Sequence, residues 1–398
     1  MEAGRHGAAG PAMGYLYQCE RALLELVTRA NDEPDLTLFM EKLDDIQLEE
    51  RGYPIEILQV KHHTGPGGNL SDESRDLWRT LAVWMDALPV LEPDEEPEFA
   101  LLTTSVAPPG SAAALLRESD EPGRRDPDAA RELLVAVASN STVVGTSGAR
   151  ERFAGLPPES QKRLIDAVVV RDAQPRIEDI DERLASRLRT GVRSEHVVAF
   201  LESLKGWWYA RSVGLLRGSE VAVTVNDLLN KIHDLRDSYQ PENLPFDWDV
   251  GDLTDVEQAS YDTRLFIQQL RWVAATDDLL TVAIDEYHRA FANRSRWLRL
   301  GLLRPGELDE YEEKLVTEWR RHHAFMRAEL ASEASEVDHQ RAGRKLWQQV
   351  SDSSTVQIRA RFHEQTLTRG TYHDLADRQR VGWHPLFEER IRQLLEGV

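Results

Sequence analysis

The sequence predicts an α/β + α protein: an N-terminal mixed sheet flanked by helices, then a mainly helical C-terminal domain. Three observations carry this. Leu38 to His63, LFMEKLDDIQLEERGYPIEILQVKHH, reads as two strands around a turn, because Leu38–Leu48 places polar residues at period two and Ile55–Val60 is dense in branched aliphatics. Phe99–Ser105 is an apolar run of strand length. From about Glu195 the pattern becomes that of long helices, and eight of the ten tryptophans lie beyond residue 200. The boundaries that follow are a loose tail over residues 1–10, an α/β domain over 11–195 and a helical domain over 196–398.

In chain order, Pro11–Arg29 is an amphipathic helix carrying Leu16, Leu23, Leu24, Leu26 and Val27. The turn between the first two strands is Glu49–Pro54, with Gly52 and Pro54 as breakers. His62 and His63 open a Gly-rich loop without the Gly-Lys-Ser/Thr ending of a phosphate-binding loop, so they read as exposed, with His62 near enough to the strand end to approach a phosphate. Ser71 is expected to cap a helix whose stripe of Leu77, Trp78, Leu81, Trp84, Met85 and Leu88 is core. Ala113–Leu116 begins another helix, Glu118–Pro127 is an exposed loop, Val143–Val144 and Ala167–Val170 are short strands, and Ile177–Leu188 is a helix. The second half carries helices over Val197–Leu216, Val225–Leu235, Leu265–Trp272, Leu279–Ala292, Glu307–Leu330 and Gln340–Gln349.

Alternation along a strand decides which side chains share a face. A continuous first strand sends Glu41, Leu43, Asp45 and Gln47 one way, and the second sends Ile55, Ile57, Gln59 and Lys61 one way. Asp45, Gln59 and Lys61 then meet at one sheet end. Carboxylate, amide and ammonium groups so placed suit phosphodiester hydrolysis, which needs a hard divalent cation on oxygen ligands to polarise the phosphate and acidify a water. Asp45, the carbonyl of Val60 and the Gln59 amide are the candidate ligands for Mg²⁺ or Mn²⁺, and Lys61 orients the water or stabilises charge on phosphorus. A neutral Gln59 leaves the cation short of one negative charge. Glu41 is the first candidate to supply it and Glu20 the second, and Asp44 competes with Asp45 as main ligand. The chain has only seven lysines among 48 basic residues, so a lysine at this position is less easily incidental.

The ordered set Gly14-Tyr-Leu-Tyr-Gln18, Glu41-x-x-Asp44-Asp45-Ile46, Ile57-Leu-Gln-Val-Lys-His62 and Leu70-Ser-x-x-Ser74-x-x-Leu-Trp-x-Thr80 resembles the nuclease domain of bacterial antiphage effectors, a PD-(D/E)xK branch with a Gln-x-Lys variant. The resemblance covers roughly the first 110 residues. It implies a restriction-endonuclease-like fold, endonuclease activity on DNA, and a place for Gln18 in the site. The second half is similar to the C-terminal domain of nuclease effectors in ABC-three-component systems, notably the A subunit of the Lamassu system. That likeness rests on Trp207-Trp208, Leu235-Arg-Asp, Pro241-Glu-Asn-Leu-Pro245, Arg289, Arg294-Ser-Arg-Trp297, Glu318-Trp319 and Gly370 through Pro385. It implies an SMC-like ATPase and a small middle subunit as partners.

Composition bounds the rest. A net charge of −21 argues against coating nucleic acid by bulk electrostatics, so DNA engagement is expected from a homo-oligomer or a partnered assembly. The single cysteine, Cys19, excludes an internal disulfide and a multi-cysteine zinc site. No apolar run approaches the ~20 residues of a membrane span, and the first ten residues lack a signal-peptide core, so a cytoplasmic protein is expected. His322, His323, His363 and His384 read as structural. A catalytically silent, nucleic-acid-binding interaction subunit and an RNA-cleaving nuclease are the competing readings.

Overall fold

The computed structural model describes residues 9–62, 68–91, 96–119, 124–251, 253–352 and 354–396. Residues 1–8 of the expected tail, His63 and the middle of its Gly-rich loop, and part of the Glu118–Pro127 loop lie outside the described residues. The chain divides into two compact units, residues 1–193 with 197–234, and residues 194–196 with 235–398. The division thus falls some forty residues later than the change at Glu195 suggests.

The first unit runs α1 (Ala9–Arg29), β1 (Leu36–Met40), β2 (Ile46–Glu50), β3 (Tyr53–Lys61), α2 (Arg75–Ala87), β4 (Glu98–Thr103), α3 (Ala112–Leu115), α4 (Pro127–Asn140), α5 (Ser147–Ala154), α6 (Pro158–Ala167), β5 (Val168–Arg171), α7 (Ile177–Leu188), α8 (Val197–Leu216), β6 (Val223–Thr224) and α9 (Val225–Ser238). The six strands form one sheet in the order β5-β4-β3-β2-β1-β6. β3, β4 and β5 are parallel, and the β1–β2, β2–β3 and β1–β6 pairs are antiparallel.

Alternation sorts the sheet into two faces. Ile57, Phe99, Leu101, Val168 and Val170 join Leu77, Trp78, Leu81 and Trp84 of α2 and Leu134, Phe153, Leu164 and Ile165 of α4–α6 in one buried core. Trp84 stacks on Phe99 with ring centroids 5.3 Å apart. The opposite face is held by ion pairs as well as apolar contact. Glu56, buried on β3, takes Arg29 of α1 and Arg171 at the end of β5 as partners, and Arg171 also reaches Glu98 at 2.8 Å.

The turn between β2 and β3 is where the sequence placed it. It is a two-residue turn at Arg51 and Gly52, with φ of 54° and 88°, the doubly positive pattern of a tight hairpin. The expected single strand Leu38–Leu48, by contrast, is two strands. The chain reverses over residues 41–45, Met40 pairs with Ile46, the Glu41 N–H donates to the Asp45 carbonyl at 3.2 Å, and Glu41 sits at φ 55°. The Asp44 side chain accepts from the Asp45 N–H at 2.9 Å, the local bond by which aspartate competes with strand pairing. Glu41 and Asp45 therefore face each other across a hairpin neck instead of sitting two pleats apart.

Other local readings change as well. α2 begins at Arg75, after a Ser74 that makes no side-chain cap; Ser71 starts a turn instead, and Asp72 accepts the Ala112 N–H at 2.7 Å. Val143–Val144 is not a strand but the approach to a 3₁₀ turn over Val144–Thr146, with Val144 exposed. β6 escaped the sequence because two residues carry no periodicity; it closes the sheet edge beside β1. Trp208 donates its indole N–H to the Cys19 carbonyl at 2.7 Å, which puts α8 on α1 and explains why it belongs to the first unit.

The second unit contains α10 (Asp255–Ser260), α11 (Leu265–Trp272), α12 (Asp277–Arg299), α13 (Glu307–Glu329), α14 (Glu336–Asp352), α15 (Gln365–Asp377) and α16 (Phe387–Glu396). Trp297 and Trp383 are fully buried and Trp319 donates to the Gly382 carbonyl at 2.9 Å, so these tryptophans build this unit's own core. Buried Glu312 gathers Arg294, Arg378 and Arg380, with Nη–Oε distances of 2.5, 2.7 and 3.1 Å. α12 and α15 cross at Gly370, where a Cβ would lie 2.1 Å from the Glu286 carbonyl oxygen and 2.5 Å from Ala290 Cβ. Backbone cannot yield as a flexible side chain can. Gly370→Ala is expected to destabilise this unit by about 3 kcal/mol, the upper end of ordinary overpacking costs, and thermal unfolding that leaves the second unit's transition unmoved would contradict this contact.

Candidate active site

The sequence-predicted residues converge at the end of β3. Asp45, the last residue of the reversal before β2, accepts at Oδ2 both the Val60 N–H at 2.7 Å and the Gln59 side-chain amide. Among the described residues no hydrogen bond falls on Oδ1. In a strand the N–H and C=O of one residue face the same neighbour, so the Val60 carbonyl lies on the same edge as Asp45, beyond the point where β2 pairing ends at Ile46↔Leu58. Lys61 is half-buried and forms no ion pair within 4 Å among the described residues, while its charge acts on Glu41 and Asp44.

Gln18, buried on α1, stands near enough to Glu41 to favour its charged form. Burial, and then repulsion from Asp45, raises the Glu41 carboxyl above the ordinary glutamate value, with Gln18 and Lys61 opposing the shift. Glu20 goes elsewhere. It pairs with Lys205 of α8 at 3.0 Å, because residues two apart on a helix point in different directions; it is therefore an interhelix contact and not a second carboxylate for Asp45.

Asp44 faces away from its neighbour. Its Oδ2 accepts the Trp84 indole N–H at 2.8 Å, and the carboxyl is pushed up to about 7 by burial first and by Asp45 second. Trp84 was legible as core, but nothing local revealed that its N–H would anchor the reversal. Because the folded value lies above the usual 3.8, the native state binds the extra proton between the two, and stability falls as pH rises through that window. Asp44→Asn removes the titration while its amide oxygen can still accept from Trp84. In EDTA, its urea midpoint relative to wild type is expected to be more favourable at pH 8 than at pH 5. An equal offset at both pH values would mean that Asp44 ionises normally.

The donor set suits a divalent cation. Two carboxylates in mutual repulsion, Glu41 and Asp45, stand beside an amide and a main-chain carbonyl, and a hard oxygen-seeking ion relieves that repulsion. Gln59 turns its amide N–H₂ toward Asp45, and its carbonyl oxygen is the group that would serve as a ligand. Gln59 and Lys61 also line an open groove of about 520 Å³, with Trp78, Arg79, Gly145 and Thr146.

His323 and His363 of the second unit sit in a ring stack and a polar contact, respectively. Glu318 accepts from Tyr372 at 2.8 Å and Ser354 at 2.6 Å, His323 stacks on Trp319 with centroids 4.8 Å apart, and His363 bonds Gln357 at 2.8 Å. Among the described residues, Glu336, His339 and His384 are the one group of three or more His, Cys, Asp or Glu side chains whose ligand atoms lie within 4.8 Å of one another. Their bonding does not suit a cation. The Leu386 N–H donates to His384 Nδ1 at 3.1 Å, which places the proton of the neutral ring on Nε2, and Arg390 already holds Glu336 at 2.6 Å.

Residues 266–391 match the family described as C-terminal domain 7 of the ABC-three component (ABC-3C) systems. The matched segment lies wholly within the second compact unit, and it supports membership of such a multi-component antiphage system. No curated protein matches the chain. Among the described residues no helix is long and apolar enough to cross a membrane.

Proposed function

We propose that the chain is the metal-dependent endonuclease effector of an ABC-three-component antiphage system of Lamassu type, its first unit a restriction-endonuclease-like nuclease domain. The observation that carries this reading is the convergence of Gln18, Glu41, Asp45, Gln59 and Lys61, drawn from one helix, one hairpin neck and one strand end, at a single corner of the sheet. Asp45, Glu41, the Gln59 amide oxygen and the Val60 carbonyl would hold Mg²⁺ or Mn²⁺. Bound there, the cation supplies Lewis acidity toward the phosphate and a more acidic water. Lys61 donates from Nζ to a phosphoryl oxygen or to the attacking water. Gln18 orients the Glu41 carboxyl, and Trp84, through Asp44, holds the reversal that presents Asp45.

Duplex DNA is the proposed substrate. The net charge of −21 makes an isolated subunit a weak binder of a polyanion, so activity is assigned to a homo-oligomer formed through the nuclease units once partner subunits let go. The proposed partners are an SMC-like ATPase and a small middle subunit, and the second unit, which carries the ABC-3C match, is proposed to hold them. Full-length tagged chain is expected to co-purify both, and a chain ending at Gly251 to lose them. Retention of the partners by the shortened chain would move the interface to the first unit. Mg²⁺- or Mn²⁺-dependent nicking of plasmid by the purified chain tests the activity itself.

A further inference from the structure

The groove beside Gln59 and Lys61 has a charge pattern that metal ligation does not use. Lys61 and Gln59 point from β3 toward α2, and across the groove stands Arg79 of α2, exposed and with no ion-pair or hydrogen-bond partner among the described residues. One turn earlier on the same helix face, Arg75 is likewise exposed and without such a partner, its guanidinium 3.3 Å from where a Gly145 Cβ would sit. Like charges at i,i+4 are mildly destabilising. In a chain with 69 acidic and 48 basic residues, two arginines so placed and left unpaired beside a lysine form a locally cationic strip.

The opposite wall complements it. Gly145, Thr146, Gly148 and Ala149 line the groove at the start of α5, whose first turn holds no carboxylate and whose Thr146 cap makes no side-chain bond to it. The 3₁₀ turn takes up the Thr146 and Ser147 N–H groups, and the aligned peptides of α5 leave partial positive charge at that end. The Arg75 guanidinium lies along Gly145, where a Cβ would stand 3.3 Å from its Nη2.

We infer that this groove binds a phosphate of the nucleic-acid backbone neighbouring the one at the Asp45 cluster, with Arg75 and Arg79 as positioning residues. The inference rests on the nuclease reading for the identity of the ligand, but it concerns binding, which can be measured without turnover. It also answers how so acidic a chain engages DNA: through a short basic strip beside the chemistry instead of through overall charge.

The test is fluorescence anisotropy of a labelled DNA duplex with the full chain in EDTA, over a series of salt concentrations. Each phosphate contact contributes about 0.9 to the slope of log K against log salt. Arg79→Ala is expected to lower that slope by ~0.9 and Arg75→Ala with Arg79→Ala by ~1.8, while Arg79→Lys retains it and Arg187→Ala on α7 leaves it unchanged. Both arginines are exposed, so the variants should fold, and unchanged circular dichroism checks this. A double variant with the wild-type slope and affinity overturns the inference, and so does wild-type chain that fails to bind the duplex at any salt. If binding shows the arginine-dependent slope but plasmid is never nicked with Mg²⁺ or Mn²⁺, the groove stands and the nuclease reading falls. If nicking depends on Lys61 while the double variant keeps its slope, the groove alone falls.

Discussion

Lys61→Ala is expected to abolish plasmid nicking while leaving the chain folded. The first half of that expectation follows from the place of Nζ, which has no carboxylate within ion-pair distance among the described residues and projects into the groove beside Gln59. A lysine held near carboxylates but bonded to none can turn to a phosphoryl oxygen without first breaking a salt bridge. Removing one preorganised donor at a reacting oxygen costs about 10²–10³ in rate, and loss of a group that also orients the nucleophile adds to that. The second half follows from burial. The side chain is half-buried at a strand end, so its truncation removes little apolar contact, and the urea midpoint should stay within about 0.5 kcal/mol of wild type. Nicking by the variant at the wild-type rate would remove Lys61 from the chemistry.

Asp45→Asn should reduce activity by orders of magnitude, and raising Mg²⁺ should not restore it. A hard cation draws most of its affinity from anionic oxygen, and with a neutral Gln59 in the set Asp45 supplies half of the carboxylate charge. The substitution has a second effect visible in the structure. Oδ2 of Asp45 accepts both the Val60 N–H and the Gln59 amide, so an asparagine placed with its N–H₂ toward them would lose both bonds and let the hairpin neck drift from β3. Isothermal titration with Mn²⁺ separates the two consequences. Weakened Mn²⁺ binding with an unchanged fold identifies lost charge, whereas an Asp45→Asn chain that binds Mn²⁺ and cleaves as wild type does would transfer the ligand role to Asp44. Asp44 is poorly placed for it, since its carboxyl is turned to Trp84 and raised to about 7.

The contrast between Gln18 and Glu20 shows how tertiary context divides what a sequence presents together. Both lie on α1, and helical geometry shows that they cannot share a direction. Which of them meets Asp45's neighbourhood depends on how α1 is rotated against the sheet. That rotation is set by distant contacts: Trp208 on the Cys19 carbonyl, Lys205 on Glu20, and Arg29 on Glu56. No window of sequence around residue 20 contains them. The match over residues 266–391 likewise covers a segment in which no His-Glu-x-x-His spacing occurs and in which His384 is brought to Glu336 and His339 only by the packing of segments distant in sequence.

The strand β3, its Gln-x-Lys ending, the Arg51–Gly52 turn and the apolar stripe of α2 were determined by the sequence itself, because alternation, the need for positive φ and helical periodicity act over a few residues. The reversal at residues 41–45 was decided only by the tertiary structure. It contains neither glycine nor proline, and Glu41 adopts a positive φ because Met40–Ile46 pairing, the Asp44–Trp84 bond and the bonds of Asp45 to β3 together outweigh the local preference for an extended strand. The same competition fixed the two-residue strand β6 and the extent of the first unit, where burial against remote partners supplies the free energy and the local residues carry no mark of it.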